Sequence, residues 1–255
     1  MKQSQAKKRD NAMTNKILMG LIALVLGLLF LEILIVHSKN EQQKNASNQV
    51  QTARIMANGD LLYHDGLYMS ALQSDGSYDF TENFTYVKPL LQQADLVLGD
   101  FEGTINPDYP LSGYPLFNAP QSVTAAIKDD GYDVMDLAHN HILDSGLEGA
   151  FTTADAFKKV GIDPIGVYEK PVRDKAPLLI KNVNGIKVAI LSYAYGYNGL
   201  ESNLTDKEVA DHLSNLDEKR MKAEIQRAEK EADITVIMPQ MGVEYRLEPT
   251  DEQVK

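Results

Sequence analysis

The strongest pattern along the chain is an unbroken apolar run from Ile17 to Val36, ILMGLIALVLGLLFLEILIV, in which Glu32 is the only charged residue. About twenty apolar residues form a helix long enough to cross a hydrocarbon core roughly 30 Å thick, so the run predicts one transmembrane helix over residues 17–36. Lys2, Lys7, Lys8, Arg9 and Lys16 precede it against a single Asp10, and this excess of positive charge places a tail of residues 1–16 in the cytoplasm. The expectation is a single-pass protein of the cell membrane with its main domain extracellular. A cleaved signal peptide is the competing reading, but its apolar core would be shorter, and His37-Ser38-Lys39-Asn40 lacks the small residues of a cleavage site. Residues 37–52 are polar, with Val50 the only large apolar side chain, and read as a tether that cannot bury enough surface to order itself.

From residue 53 onward the pattern changes to short apolar runs alternating with stretches of helical period, which predicts an α/β domain over residues 53–255. Expected strands are Arg54 to Ala57, Asp95 to Leu98, Val134 to Ala138, Lys187 to Tyr193 and Ile234 to Met238. Expected helices are Phe80 to Gln93, Ser122 to Asp130, Leu147 to Val160 and one long region from Thr205 to Ala232, opened by the capping box Thr205-Asp206-Lys207-Glu208. Asn184-Gly185 predicts a tight hairpin turn before a buried strand. Pro249-Thr250-Asp251-Glu252-Gln253 looks like a helix start only a few residues from Lys255, which suggests a chain truncated at its C-terminus.

Charge and composition narrow the chemistry. The chain carries 25 Lys plus Arg against 36 Asp plus Glu, a formal net charge of -11, which is the wrong balance for tracking a phosphate backbone and argues against nucleic acid as a partner. With no cysteine, disulfides, thiolate sites and a Cys nucleophile are excluded, and any metal site must be built from Asp, Glu, Asn and His. In α/β sheets ligands gather beyond the carboxyl ends of the strands. There the sequence places Asn58-Gly59-Asp60 with His64-Asp65, then Gly99-Asp100-Phe101-Glu102-Gly103, then His139-Asn140-His141 with Asp144. Asp, Glu, Asn and His converging on one edge suit a hard or borderline divalent metal. Each group also has a plain structural reading: turn-forming Asp, a buried histidine beside an exposed one, Asp144 favouring a helix N-terminus. Tyr193, Tyr195 and Tyr197 either wall a ligand or mark one face of a strand, and Tyr63 and Tyr68 are equally open.

Gly59-Asp60, LVLGDFEGTI at 96–105, AHNHILDSGLEG at 138–149, NGIKVAILSYAYG at 184–196 and MGVEYRLEPTDEQ at 241–253 together resemble the CapA family of bacterial poly-gamma-glutamate capsule synthesis proteins. The resemblance covers about residues 53–255. It implies a metallophosphatase-like layered αββα sandwich, incomplete at the C-terminus, behind a single membrane anchor. It also implies divalent metal ions, two in the full-length family form and drawn from Mn, Fe, Zn or Mg. Carried over by position, Asp60 and Glu102 are metal ligands, Asp100 stands where the family often has Asn, and Asn140 ligates through its amide oxygen. His141 would donate to a phosphate-like leaving group, while His64 and Asp144 are secondary candidates. Gln240 occupies the place of a His in the family's His-Trp-Gly-x-Glu-Tyr segment, and the later Gly-His-x-Pro-His segment does not occur before Lys255. The implied partners are the membrane, other capsule-synthesis membrane subunits and an anionic polymer such as poly-gamma-glutamate. The implied function is capsule biosynthesis or export. A metal-dependent phosphoesterase and a non-catalytic binding subunit are the alternatives.

Overall fold

The computed structural model describes residues 31–39, 50–243 and 245–254, and the chain divides into two units, Met1–Val50 and Gln51–Lys255. Residues 31–39 are helical (α1) and exposed. They contain the last six residues of the expected span, of which residues 17–30 lie outside the described residues, as do the tail 1–16 and residues 40–49 of the tether. Among the described residues no helix is long and apolar enough to cross a membrane.

The second unit runs β1 (Ile55–Asp60), α2 (Asp65–Ala71), α3 (Lys88–Leu91), β2 (Leu96–Asp100), α4 (Val123–Asp129), β3 (Val134–Asp136), α5 (Gly146–Lys159), β4 (Asp163–Ile165), β5 (Leu179–Val183), β6 (Ile186–Ala194), α6 (Asp206–His212), α7 (Glu218–Glu231), β7 (Ile234–Gln240) and α8 (Asp251–Val254). Strands β1-β2-β3-β4 form one parallel sheet, and β5-β6-β7 form a second in which β6 is antiparallel to β5 and parallel to β7.

Alternation along the strands divides the core into layers, because successive side chains point to opposite faces. Leu96, Leu98 and Val134 of the first sheet pack with Val188, Ile190, Val236 and Met238 of the second, so the two sheets lie face to face. Val97 and Met135 point the other way, onto Val123 and Ile127 of α4 and Ala154 and Phe157 of α5. Ala189, Leu191 and Tyr193 of β6 meet Met221, Ile225 and Ala228 of α7. The order of layers is helix, sheet, sheet, helix. β2 is buried along its whole length, as a strand covered on both faces must be.

The hairpin turn forms as expected, with Asn184 at φ 53 and Gly185 at φ 90, the left-handed pair such a turn requires. Two helix expectations are corrected. Phe80 to Gln93 is mostly turns and keeps only the four residues of α3. Asp79 accepts from the backbone and hydroxyl of Thr81, offering that segment turn bonds in place of helix bonds, and Pro89 sits where a helix can only begin. The long region from Thr205 to Ala232 breaks into α6 and α7, because Ser214 and Leu216 bond across to Gly166 and Ala194 and thread the intervening segment along β6. The capping box at Thr205 is present, and Asp217 caps α7 by accepting from Arg220 N. Strands β4 and β5 and helix α2 had no counterpart in the apolar pattern; β4 is three residues long with a central proline.

Candidate metal centre at the ends of the parallel strands

β1, β2 and β3 run parallel and finish in register, so Asp60 pairs with Asp100 and Asp100 with Asp136 across one sheet rim. A bulge between Ala57 and Asp60 lets β1 reach that register. The ring of Tyr132 can pack over β2 because residue 99 is glycine: a Cβ there would stand 2.8 Å from that ring. The loops that leave the three strands add Glu102 after β2 and the run His139-Asn140-His141 after β3. Gly166, at φ 94, packs against the start of that run, where a Cβ would meet Ala138 N at 2.6 Å.

Asp60, Glu102 and Asn140 line one cavity of about 510 Å³, together with Tyr195, Gln240 and Arg246. Burial raises the Asp100 carboxyl to about 9, helped by the charges of Asp136, Asp60 and Glu102. Burial also raises Glu102 to about 7, with Asp60 the next cause, and Asp136 to about 7, against the bond its Oδ1 accepts from Ala138 N at 2.8 Å. Among the described residues no lysine or arginine forms an ion pair with these four carboxylates; the nearest cationic partner is the His141 ring, whose Nε2 lies 3.9 Å from Glu102 Oε1. Asp100 Oδ1 is buried without a hydrogen-bond partner. Carboxylates crowded in this way either hold protons or hold a cation.

His141 is itself buried, edge-on to Phe117 at 4.8 Å between centroids. Its Nδ1 is 2.7 Å from Asp144 Oδ2, which also accepts from Phe117 N at 2.6 Å. Asp144 thus orients the imidazole and leaves Nε2 on the side of Glu102, a role different from a helix-dipole residue. His139 is fully buried, accepts from His141 N through Nδ1 at 3.2 Å, and is held by burial down to about 3, so it is a neutral framework residue. Asn140 Oδ1 accepts from Gln240 Nε2 at 2.9 Å, and Asn140 Nδ2 donates to Asn198 Oδ1 at 3.2 Å.

Of the residues singled out by sequence, Asp60, Asp100, Glu102, Asn140 and His141 come together at this rim. His64 pairs with the neighbouring Asp65, is half exposed, and packs edge-on to the ring of Phe117 at 5.6 Å; it is not among the residues that line the cavity. Tyr195 walls the cavity, whereas Tyr63, Tyr68, Tyr193 and Tyr197 are buried in the core. Two residues of the arrangement, Asp136 and Asn198, escaped sequence reading, as did the way Asp144 acts on His141. Asp136 carried a signal, a carboxylate inside an apolar run, which needs a reason to be buried. Asn198, at φ 54, was hidden because its partner His141 lies 57 residues away, and Asp144, three positions after His141, was also readable as a helix N-terminal residue.

The donor set is rich in oxygen: the carboxylates of Asp60, Asp100 and Glu102 and the carboxamide of Asn140. Together with the orphaned Asp100 Oδ1, this chemistry fits a hard divalent cation such as Mg²⁺ or Mn²⁺. The side chains are not closed into a finished cage, since among the described residues no three His, Cys, Asp or Glu are grouped as ligands of one ion.

The family profile described as "Bacterial capsule synthesis protein PGA_cap" matches residues 54–255. The chain is 29% identical over 179 residues to the capsule biosynthesis protein CapA of Bacillus anthracis, covering 67% of this chain and 43% of that protein. It is 26% identical over 249 residues to the PGA biosynthesis protein CapA of Bacillus subtilis (strain 168), covering 96% of this chain and 63% of that protein. A Staphylococcus aureus structure solved with alpha-ketoglutarate, and assigned provisionally as a 5'-nucleotidase, aligns with a TM-score of 0.49 at 15% identity over 77% of this chain and 39% of its own. The chain therefore spans about half the length of the curated relatives it matches. With the profile covering the whole α/β unit from its first strand onward, this chain belongs to the bacterial capsule synthesis protein family.

Proposed function

We propose that this chain is a membrane-anchored, outward-facing component of capsule synthesis or export, of the poly-gamma-glutamate type. Its metallophosphatase-like domain uses a divalent cation held at the rim of the parallel sheet. The observation that carries the reading is the register of Asp60, Asp100 and Asp136, which sets the exposed Asp60 beside the buried Asp100 and Asp136, next to Glu102 and Asn140, with no lysine or arginine paired to them among the described residues. Asp60, Asp100, Glu102 and the Asn140 carboxamide oxygen would hold the cation, and the apolar run at residues 17–36 would supply the anchor. Bound there, a cation would supply Lewis-acid polarisation of a carboxylate, carbonyl or phosphoryl oxygen in the cavity. Arg246, on the cavity wall, would receive an anionic group, and Tyr195 would pack against its carrier. Because the chain carries a net charge of -11, cations bridging protein and polymer carboxylates would also be what allows a polyanion to stay on this surface.

The geometry around His141 supports a second reading, an extracellular metal-dependent phosphoesterase. Asp144 fixes Nδ1, and Nε2 is left toward Glu102 and the cavity, the orientation a proton donor to a leaving oxygen needs. One experiment separates the two. The purified full chain is assayed with Mn²⁺ for hydrolysis of simple phosphoesters and for retention of polyglutamate, as wild type and as His141→Ala. The assembly reading expects polymer retention that disappears with chelator and survives His141→Ala, with no hydrolysis. The esterase reading expects hydrolysis that falls about 100-fold or more in His141→Ala. Equal polymer retention with and without chelator would remove the bridging role.

A further inference from the structure

The carboxamide of Gln240 ends β7 and reaches across to the loop after β3, joining the rims of the two sheets. Its Oε1 accepts from the backbone N–H of Asn140 at 2.6 Å, and its Nε2 donates to Asn140 Oδ1 at 2.9 Å. The two bonds are mutually fixing. Reversing the Gln240 carboxamide would set its NH₂ group against the Asn140 N–H, a donor against a donor, so Oε1 must face the backbone and Nε2 must face the side chain. The Asn140 carboxamide is then fixed as well: its oxygen lies on the Gln240 side and its NH₂ donates to Asn198 Oδ1 at 3.2 Å. Asn198 Nδ2 in turn lies 3.4 and 3.3 Å from the two ring nitrogens of His141. A short chain of amides thus runs Gln240, Asn140, Asn198 to the imidazole.

Two consequences follow for a cation at this rim. Asn140 Oδ1 keeps one lone pair beyond the one Gln240 uses, so a ligand oxygen is oriented in advance. Gln240 Oε1 likewise accepts a single bond, so anything Gln240 adds to the rim is again an oxygen donor. Of the ring nitrogens nearby, His139 Nδ1 is committed to His141 N and His141 Nδ1 to Asp144, which leaves His141 Nε2, 3.9 Å from Glu102 Oε1, as the one nitrogen turned toward the carboxylates. The donors that remain are mainly oxygen, and oxygen donors favour Mg²⁺ and Mn²⁺, where imidazole favours Zn²⁺.

We infer that Gln240, acting with Asn198, is a positioning residue that orients the Asn140 carboxamide and thereby makes this site select an oxygen-preferring divalent cation over a nitrogen-preferring one. The selectivity rests on the proposed cation role of the carboxylates; the amide latch does not. Two measurements on the full chain test them separately. In the metal-free protein, hydrogen exchange followed by NMR should find the Asn140 amide protected, and Gln240→Ala should speed its exchange at least tenfold while the amides of β3 are unaffected. Titration with Mn²⁺ and with Zn²⁺ should show Gln240→His raising Zn²⁺ affinity at least tenfold relative to Mn²⁺. An Asn140 amide that exchanges equally fast in wild type and Gln240→Ala overturns the latch. An unchanged Zn²⁺ to Mn²⁺ ratio in Gln240→His overturns the selectivity. A protected Asn140 amide in a wild-type chain that binds neither ion overturns the proposed cation role, and the selectivity with it, while the latch stands.

Discussion

Replacing Asp100 by Asn is expected to make the cation-free chain more stable and to abolish its stabilisation by divalent ions. The carboxyl of Asp100 is 8% exposed, its Oδ1 has no partner, and it stands in register between Asp60 and Asp136. Leaving a buried polar group unsatisfied costs about 1–3 kcal/mol, and repulsion from its neighbours adds to that cost. An amide of the same shape needs no proton taken up on folding and can donate to Asp60. A bound cation reverses the balance. At a concentration about 100 times its Kd it stabilises the wild-type fold by about 2.7 kcal/mol, or about 5–10 °C in Tm at roughly 2–4 °C per kcal/mol for a domain of this size. Thermal melts of Asp100→Asn and wild type, with Mn²⁺ and with chelator, should therefore cross: the variant melts higher in chelator, and the wild type gains on adding Mn²⁺ while the variant does not. A variant that melts lower in chelator would mean that the carboxylate contributes to the fold rather than straining it.

The second large effect lies away from the rim. Arg173 has no exposed side-chain surface, and it holds both oxygens of Glu224 through Nε and Nη2 at 3.0 Å each. Its Nη1 reaches Leu213 O at 3.1 Å and Asn215 Oδ1 at 3.0 Å, and Tyr193 OH donates to Glu224 Oε2 at 2.8 Å. The cluster ties the turn at Arg173–Lys175, helix α7 and strand β6 together. Removing one partner of such a buried pair leaves the other uncompensated, at a cost of about 3–5 kcal/mol. Arg173→Met should accordingly lower Tm by about 6–20 °C. Arg173→Met with Glu224→Leu should cost less than the sum of the single changes, because the double variant buries no unpaired charge. Urea unfolding of the three variants measures this; strict additivity would show that the pair does not act as a unit. Cation affinity should be unchanged in all three, since none of these residues lines the cavity at the rim.

What could be read from the sequence divides along physical lines. Buried strands announced themselves: β2 and β6 fall on the expected runs because a strand covered on both faces is apolar throughout, and β7, only partly buried, still showed as the apolar run from Ile234 to Met238. Helices α4 and α5 followed for the same reason, from apolar faces at helical spacing. The parts that were missed are held by contacts the local pattern does not contain. The break between α6 and α7 depends on backbone bonds to Gly166 and Ala194, and α3 is cut short by side-chain turns and a proline. At the site, motif position brought Asp60, Glu102, Asn140 and His141 to the right edge, because parallel strands end on one side. It could not show that Asp136 stands in the same row, since register is set by pairing between strands. Nor could it separate His139 from His141: two residues apart, one serves the framework and the other faces the carboxylates. Nor could it show that His64 stands at the N-cap of helix α2, beside Phe117 and off the lining of the cavity.

The central claim is that the rim formed by Asp60, Asp100, Glu102 and Asn140 holds a divalent cation. Calorimetric titration of the purified full chain with Mn²⁺, repeated on Asp60→Ala and Asn140→Ala, tests it most directly. Saturable binding in the wild type, weakened at least tenfold by each substitution while the melt in chelator stays cooperative, is the predicted result. Binding of equal strength in all three proteins, or no binding to the wild type, would contradict it.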